Sequence, residues 1–199
     1  MKALRTLTAS IAFLATCLPA AADILPLDAI SGYLNDLKTA EAAFTQVNDD
    51  GSISTGKLYI KRPGRVRFEY DPPVEAMVLA SAGAVAIFDG RSNQPPETYP
   101  LKRTPLSVIL ARNVNLARAN MVVGHEFDGT ATVVTAQDPK NPEYGNIQLM
   151  FTAEPVELRQ WIINDGSGGR TTVILGEMET GVALRDSIFN IDLQREQLR

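Results

Sequence analysis

The sequence predicts a mainly β fold: one large antiparallel sheet curled into a barrel or half-barrel, with two amphipathic helical segments available to cover its open face. Three observations carry this. Ten or so short runs with strand-type alternation follow one another from residue 53 onward, separated by Gly, Pro, Asn and Asp turn signals. No regular βαβ alternation interrupts them. Helical spacing is confined to one segment near the N-terminus and one near residue 105.

Residues 1–22, MKALRTLTASIAFLATCLPAAA, precede the fold and read as a secretory signal peptide: two cations, an apolar run, and a small-residue end before Asp23. The run is short for a membrane span. The same residues could be read as a lipoprotein signal ending at Cys17, but Thr16 is large for the position before such a cysteine and an Ala-x-Ala site follows. Cleavage near Ala22/Asp23 leaves residues 23–199 as a single domain without cysteine, held by its core rather than by disulfides. Removing Lys2 and Arg5 from 19 cations while keeping 23 anions leaves a formal charge near −6, which argues against nucleic acid and anionic lipid as partners.

The elements follow in order. In LDAISGYLNDLKTAEAAFTQV, residues 27–47, Ile30, Tyr33, Leu34 and Leu37 recur at 3 and 4, so a helix is expected, with Asp28 as its cap. Ala40 to Phe44 either extend it or begin the next element. Strands 53–62 and 65–70 flank Pro63-Gly64, a pair suited to the centre of a type II turn. Strands at 76–81 and 84–89 come next, then a polar, proline-rich loop from Ser92 to Glu97. Thr104-Pro105 reads as a cap and first helical residue, opening a helix over 105–112 with Leu106, Ile109 and Leu110 on its apolar side. A short helical piece at 114–121 is possible. Strands are then expected at about 122–128, 130–136, 146–152, 156–163, 170–177 and 184–192.

Chemistry is sparse. The one histidine, His125, stands in VVGHEFDG near a strand start, where a structural or edge role outweighs a catalytic one. Gly166-Ser167-Gly168 lacks the strand–turn–helix context of a nucleophile elbow. Glu177 and Glu179 suit the wet face of a strand, and nothing in the pattern suggests a metal site or cofactor. No enzymatic activity is expected. Lys61, Arg65 and Arg67 read as a solvated outer face that also discourages edge pairing.

Arg62 is different. Leu58 and Ile60 alternate with Lys57, Tyr59 and Lys61, and counting on by two points Arg62 inward. The alternative is that the turn starts at Arg62 and swings its side chain out. An inward guanidinium must be hydrogen-bonded, and carbonyls at the ends of the covering helices are the groups most in need of a donor.

These residues bear a family resemblance. AAFTQV at 42–47, GKLYIKRPGRVRFEYDPP at 56–73, VAIFDG at 85–90 and TYPLKRTPLSVILARN at 98–113, in this order behind a signal peptide, resemble the outer-membrane lipoprotein carrier (LolA) family. The last third matches only as a run of strands. One departure stands out: well-studied members carry an aromatic early in the strand after the R-P turn, where this chain has Gly64-Arg65-Val66 before Phe68.

The resemblance implies an incomplete (unclosed) antiparallel β-barrel of about ten to eleven strands covered by a helical lid enclosing a hydrophobic cavity. It implies a soluble, monomeric periplasmic carrier that takes acylated lipoproteins from an inner-membrane ABC transporter of the LolCDE type to an outer-membrane acceptor of the LolB type. Arg62 becomes the lid latch. Leu58, Ile60, Val66, Phe68, Leu79, Val85 and Ile87 are assigned to the sheet's side of the cavity; Ile30, Leu34, Leu37, Leu106, Ile109 and Leu110 are assigned to the lid. The same spacings would also make a dry core, so the resemblance is what assigns a cavity. Two other readings fit the residues: a periplasmic lipid- or lipoprotein-sensing regulatory domain of the same fold, and an exported lipid-modifying enzyme dependent on His125.

Overall fold

The computed structural model describes residues 24–92, 94–118 and 120–197. The expected signal peptide lies outside the described residues. Helix α1, Leu27–Asp36, follows Pro26 at its cap position, and Asp28 sits in the first turn, where its charge suits the helix dipole, rather than at the cap. The expected continuation of this helix is instead strand β1, Thr39–Val47. Leu37, Ala40 and Phe44 fit spacings of 3 and 4, while Ala40, Ala42 and Phe44 fit a period of 2 equally well. Pairing on both sides of β1 decides between them against the helical propensity of its alanines.

The sheet continues with β2 (Ile53–Lys61), β3 (Arg65–Tyr70), β4 (Ala76–Ser81), β5 (Ala84–Asp89) and the short β6 (Glu97–Pro100). After a 3-10 turn at Leu101–Arg103 and helix α2, Leu106–Leu110, a second meander supplies β7 (Val122–Phe127), β8 (Thr132–Gln137), β9 (Asn146–Thr152), β10 (Glu157–Asn164) and β11 (Arg170–Thr180). All pairs are antiparallel, in the order β6-β5-β4-β3-β2-β1-β11-β10-β9-β8-β7. The barrel is therefore open between β6 and β7, and the chain that crosses from one edge to the other, residues 101–121, carries α2.

Several local expectations are corrected. Lys61 pairs with Arg65, so the β2–β3 loop is the three-residue Arg62-Pro63-Gly64 with a cis Arg62–Pro63 peptide, not a two-residue type II turn. Thr104 does not cap α2; its Oγ1 donates back to the Leu101 carbonyl at 2.8 Å, and Pro105 holds the cap position. The described residues of 114–121 form turns rather than helix. The expected strand at 184–192 is a 3-10 turn, Asp186–Phe189, followed by helix α3, Ile191–Gln197. Asn190 explains the change: its side-chain oxygen accepts from the Leu193 N–H at 3.0 Å, an N-cap in the middle of what reads as alternation.

The sheet buries apolar side chains on both faces. On the concave face, β1–β3 and β8–β11 contribute to one large cluster with the covering helices. On the convex face, Met77, Leu79, Ala86 and Phe88 receive Phe189 from the C-terminal segment. Leu79 therefore lies opposite the face assigned to it. Residues 77–80, MVLA, are apolar throughout because β4 is covered on both sides, and an unbroken apolar run carries no parity.

Lys61, Arg65 and Arg67 are not a solvated face either. Lys61 Nζ donates to the Leu184 carbonyl at 2.6 Å and pairs with Asp186 at 2.7 Å. Arg65 pairs with Asp186 at 2.6 Å and lies 6.0 Å over the Phe189 ring; Arg67 donates to the Ile188 carbonyl at 2.9 Å and to Gln194 Oε1 at 3.1 Å. Together they clamp the C-terminal segment to β2 and β3. Removing its buried anchor with Phe189→Ala should lower stability in urea titrations by about 3–5 kcal/mol.

Candidate functional site

The concave face is built by alternation. Ser54, Gly56, Leu58 and Ile60 of β2 share it with Val66, Phe68 and Tyr70 of β3, and across β1 with Ala40, Ala42, Phe44 and Gln46. Phe44 is the hub of an aromatic group, 5.3 Å from Phe68 and 5.1 Å from Tyr70, both edge-on. Gly56 is required beneath it: a Cβ there would come within 2.8 Å of the Phe44 ring and collide with the Glu69 backbone. The far half adds Ile147, Leu149 and Phe151 of β9, Trp161 of β10, and Val173 and Leu175 of β11.

The cover has two parts. From α1, Ile30 and Leu34 insert fully, with Leu37 just beyond the helix end; from the crossing segment, Ile109, Leu110, Val114 and Leu116 do the same. These parts are tied to one another. Asn35 Nδ2 donates to the Val114 carbonyl at 2.8 Å, and its Oδ1 accepts from the Val114 N–H at 2.9 Å. One turn earlier, Ser31 Oγ donates to the Leu27 carbonyl and accepts from the Leu116 N–H at 2.9 Å. The lid is thus one hydrogen-bonded unit.

Arg62 joins that unit to the sheet. Although it begins the turn, its side chain stays inside, only 7% exposed. Nη2 donates to the Ala111 carbonyl at 2.5 Å and Nη1, more weakly, to the Leu37 carbonyl at 3.4 Å. Leu37 and Ala111 are the residues capping the C-terminal ends of α1 and α2. A cation there satisfies orphan carbonyls and complements both helix dipoles. The backbone repeats the pattern: the Arg62 N–H donates to Lys38 O at 2.8 Å and the Gly64 N–H to Leu110 O at 2.9 Å. Burial lowers the guanidinium pKa, and among the described residues Nε has no acceptor.

Of the sheet residues assigned by sequence, Leu58, Ile60, Val66, Phe68 and Val85 lie in the concave cluster. Ile87 shares their face by register, opposite Val78, but is 38% exposed beyond the reach of the lid. Leu79 is the exception already described. Ile30, Leu34, Leu37, Ile109 and Leu110 are buried under the lid, with Leu106 packed at its margin. His125 is exposed on β7, its Nε2 2.9 Å from the Leu25 carbonyl just before α1. Sequence reasoning assigned no cavity residue to β7–β11, although the alternation in NIQLMFT marks Ile147, Leu149 and Phe151. Ser31 and Asn35, polar residues four apart beside the apolar stripe of α1, were a readable sign of a second polar seam.

An unclosed antiparallel barrel with an apolar concave face, shut by a separate hydrogen-bonded lid, is the architecture of a lipoprotein-carrier-type fold. The family model for the outer membrane lipoprotein carrier protein LolA matches residues 35–192, and the chain belongs to this family. It is similar to the outer-membrane lipoprotein carrier protein of Pseudomonas paraeruginosa, 26% identical over 202 residues, 97% of this chain and 96% of that protein. The carrier of Azotobacter vinelandii is 27% identical over 181 residues, 86% of each chain. Among solved structures, a putative outer membrane lipoprotein-sorting protein domain from Vibrio parahaemolyticus shares the fold with a TM-score of 0.50 at 10% identity, over 85% of this chain and 97% of that one.

Two predictions follow from the geometry. Asn35→Ala removes both bonds to Val114 and should raise uptake of an apolar fluorescent dye by the folded protein; unchanged uptake would mean this seam does not hold the lid. Burial raises the Tyr70 hydroxyl to about 12 from its ordinary value near 10. The unfolded chain therefore ionises first, so Tyr70 leaves stability unchanged below pH 10 and lowers it between pH 10 and 12, by roughly 2 kcal/mol at the upper limit. Tyr70→Phe should flatten that alkaline limb in denaturant titrations.

Proposed function

We propose that this protein is a non-enzymatic periplasmic carrier that binds the acyl chains of lipoproteins released from the inner membrane and delivers them to the outer membrane. Its donor is an inner-membrane ABC transporter and its acceptor an outer-membrane protein. The observation that carries this reading is Arg62: a buried guanidinium that ties both lid elements to the sheet through carbonyl groups, over a largely apolar face. Family membership and the carrier names of its relatives support the cargo class. Among the described residues no helix is long and apolar enough to cross a membrane.

Energetics explain the latch. Acyl burial gains about 0.8 kcal/mol per CH2, so three half-buried chains of roughly 16 carbons would gain about 19 kcal/mol, near the ceiling of non-covalent affinity. A carrier bound that tightly would not release. Opening the lid breaks Arg62's hydrogen bond to Ala111, which as a charge-assisted bond contributes roughly 1.5–3 kcal/mol, and the longer, weaker one to Leu37. In this reading the loaded form is less stable by that sum, and reclosure drives the handover.

The test is lipoprotein release from inner-membrane vesicles followed by transfer to outer-membrane vesicles. The Arg62→Leu variant should extract cargo but retain it, whereas the wild type passes it on. Equal delivery by both would reduce Arg62 to a turn residue, and absence of extraction by either would sink the carrier reading.

A further inference from the structure

We propose that the indole N–H of Trp161 is a cargo-reading donor, placed to bind the carbonyl oxygen of an acyl ester; the proposal rests on the carrier reading above. Trp161 is the chain's single tryptophan. It is 1% exposed on the concave face of β10, edge-on to Phe68 at 6.2 Å, and among the described residues its Nε1 has no hydrogen-bond acceptor. Buried indole N–H groups normally find a partner, and an unpaired one calls for an explanation.

The surroundings supply one. Along its register row Trp161 lies between Leu149 and Val173, and the nearby cluster is aliphatic and aromatic. A hydrocarbon chain that displaced this packing would bring no acceptor. An ester-linked fatty chain brings one, at the end of the chain nearest the glyceryl group. A fixed donor there would set how deep the chains insert and would favour esters over plain hydrocarbon.

The same row shows where the polar remainder of the lipid could leave. Beyond Val173 it reaches Gln46. Gln46 accepts from the Tyr70 hydroxyl at 2.7 Å and donates to Asn48 Oδ1 at 2.7 Å; Asn48 in turn donates to Ser52 Oγ at 2.9 Å in an exposed turn. A polar track thus runs from the row of Trp161 to solvent. The ester could belong to the diacylglyceryl group of a lipoprotein or to a diacyl phospholipid.

The single tryptophan makes the test direct. In 15N-labelled protein its one indole cross-peak is followed while three probes are added: a dipalmitoylglyceryl-cysteine peptide, its ether-linked dialkyl analogue, and dipalmitoyl phosphatidylglycerol. The indole proton should move downfield with the ester lipopeptide and not with the ether. Wild type should prefer the ester peptide about fivefold, the size of one neutral hydrogen bond, and Trp161→Phe should bind both alike. The same downfield shift with the phospholipid would support a donor that reads any diacyl ester; a shift confined to the lipopeptide would support one restricted to lipoprotein cargo. Binding of the ester lipopeptide with an unmoved indole proton overturns the proposal and leaves the carrier reading intact. So does an ester preference that survives in Trp161→Phe. If none of the three lipids binds the wild type, both fall together. The indole measurement needs only wild-type protein, so a variant that fails to fold does not decide the matter.

Discussion

A buried guanidinium held by peptide carbonyls, with no carboxylate hydrogen-bonded to it among the described residues, is the interaction that joins the cover to the sheet. The choice of acceptor matters. A buried ion pair would leave a second bare charge when separated, which makes breaking it strongly unfavourable. Carbonyls at helix ends are neutral and can take water when the lid lifts. The bond to Leu37 is long and Nε is unpaired, so the burial of Arg62 is incompletely compensated. The lid is held, but not locked.

The need for such a bond comes from the sheet. Its last strand on one side, β6, has four exposed residues ending in Pro100, and β7 on the other side is largely wet. The two edges do not pair with each other, and the crossing segment must serve as the missing wall. Among its described residues its one α-helix is five residues long, and neither α1 nor α2 has a side-chain hydrogen bond at its N-cap. Helices this short are not stable alone in water. Their structure is conditional on the contacts they make, and their unsatisfied C-terminal carbonyls converge on Arg62. A conditional element is the part of a fold that can give way to a ligand.

Where one face is dry and the other wet, alternation was informative, and so the inward placement of Arg62 and of Leu58, Ile60, Val66 and Phe68 was legible before any coordinates. Where both faces are covered, as in β4, the apolar run lost its parity and Leu79 was assigned to the wrong side. The C-terminal helix escaped notice because Phe189 and Ile191 alternate like strand residues while the deciding signal is one side-chain cap at Asn190. Lys61, Arg65 and Arg67 read as solvated because the C-terminal segment they bind lies more than 115 residues away and the sequence offers no sign of that pairing. Trp161 shows the deeper limit. Its burial could be guessed, but a missing acceptor is a property of the assembled surroundings and not of any local pattern.

The two faces of the β2–β3 hairpin divide the labour. On the convex side Lys61 and Arg65, which flank the Arg62 loop, are both fixed to Asp186, whose carboxyl is held below the usual carboxylate range chiefly by Lys61 and then by Arg65. Arg67 extends the same grip to Ile188 and Gln194. On the concave side the loop between these clamped residues presents Arg62 to the lid. Directional bonds re-form only if the donor is where the acceptors return to, within a fraction of an ångström. In the carrier reading proposed above, a latch carried on the lid would have to be found again at every closure. Carried on a hairpin braced from behind by the C-terminal segment, it would stay in position while the lid, tied by Asn35 and Ser31 into one piece, lifted and fell. On that reading the convex clamp belongs to the latch as much as to the core: it would keep one side of a reversible contact stationary.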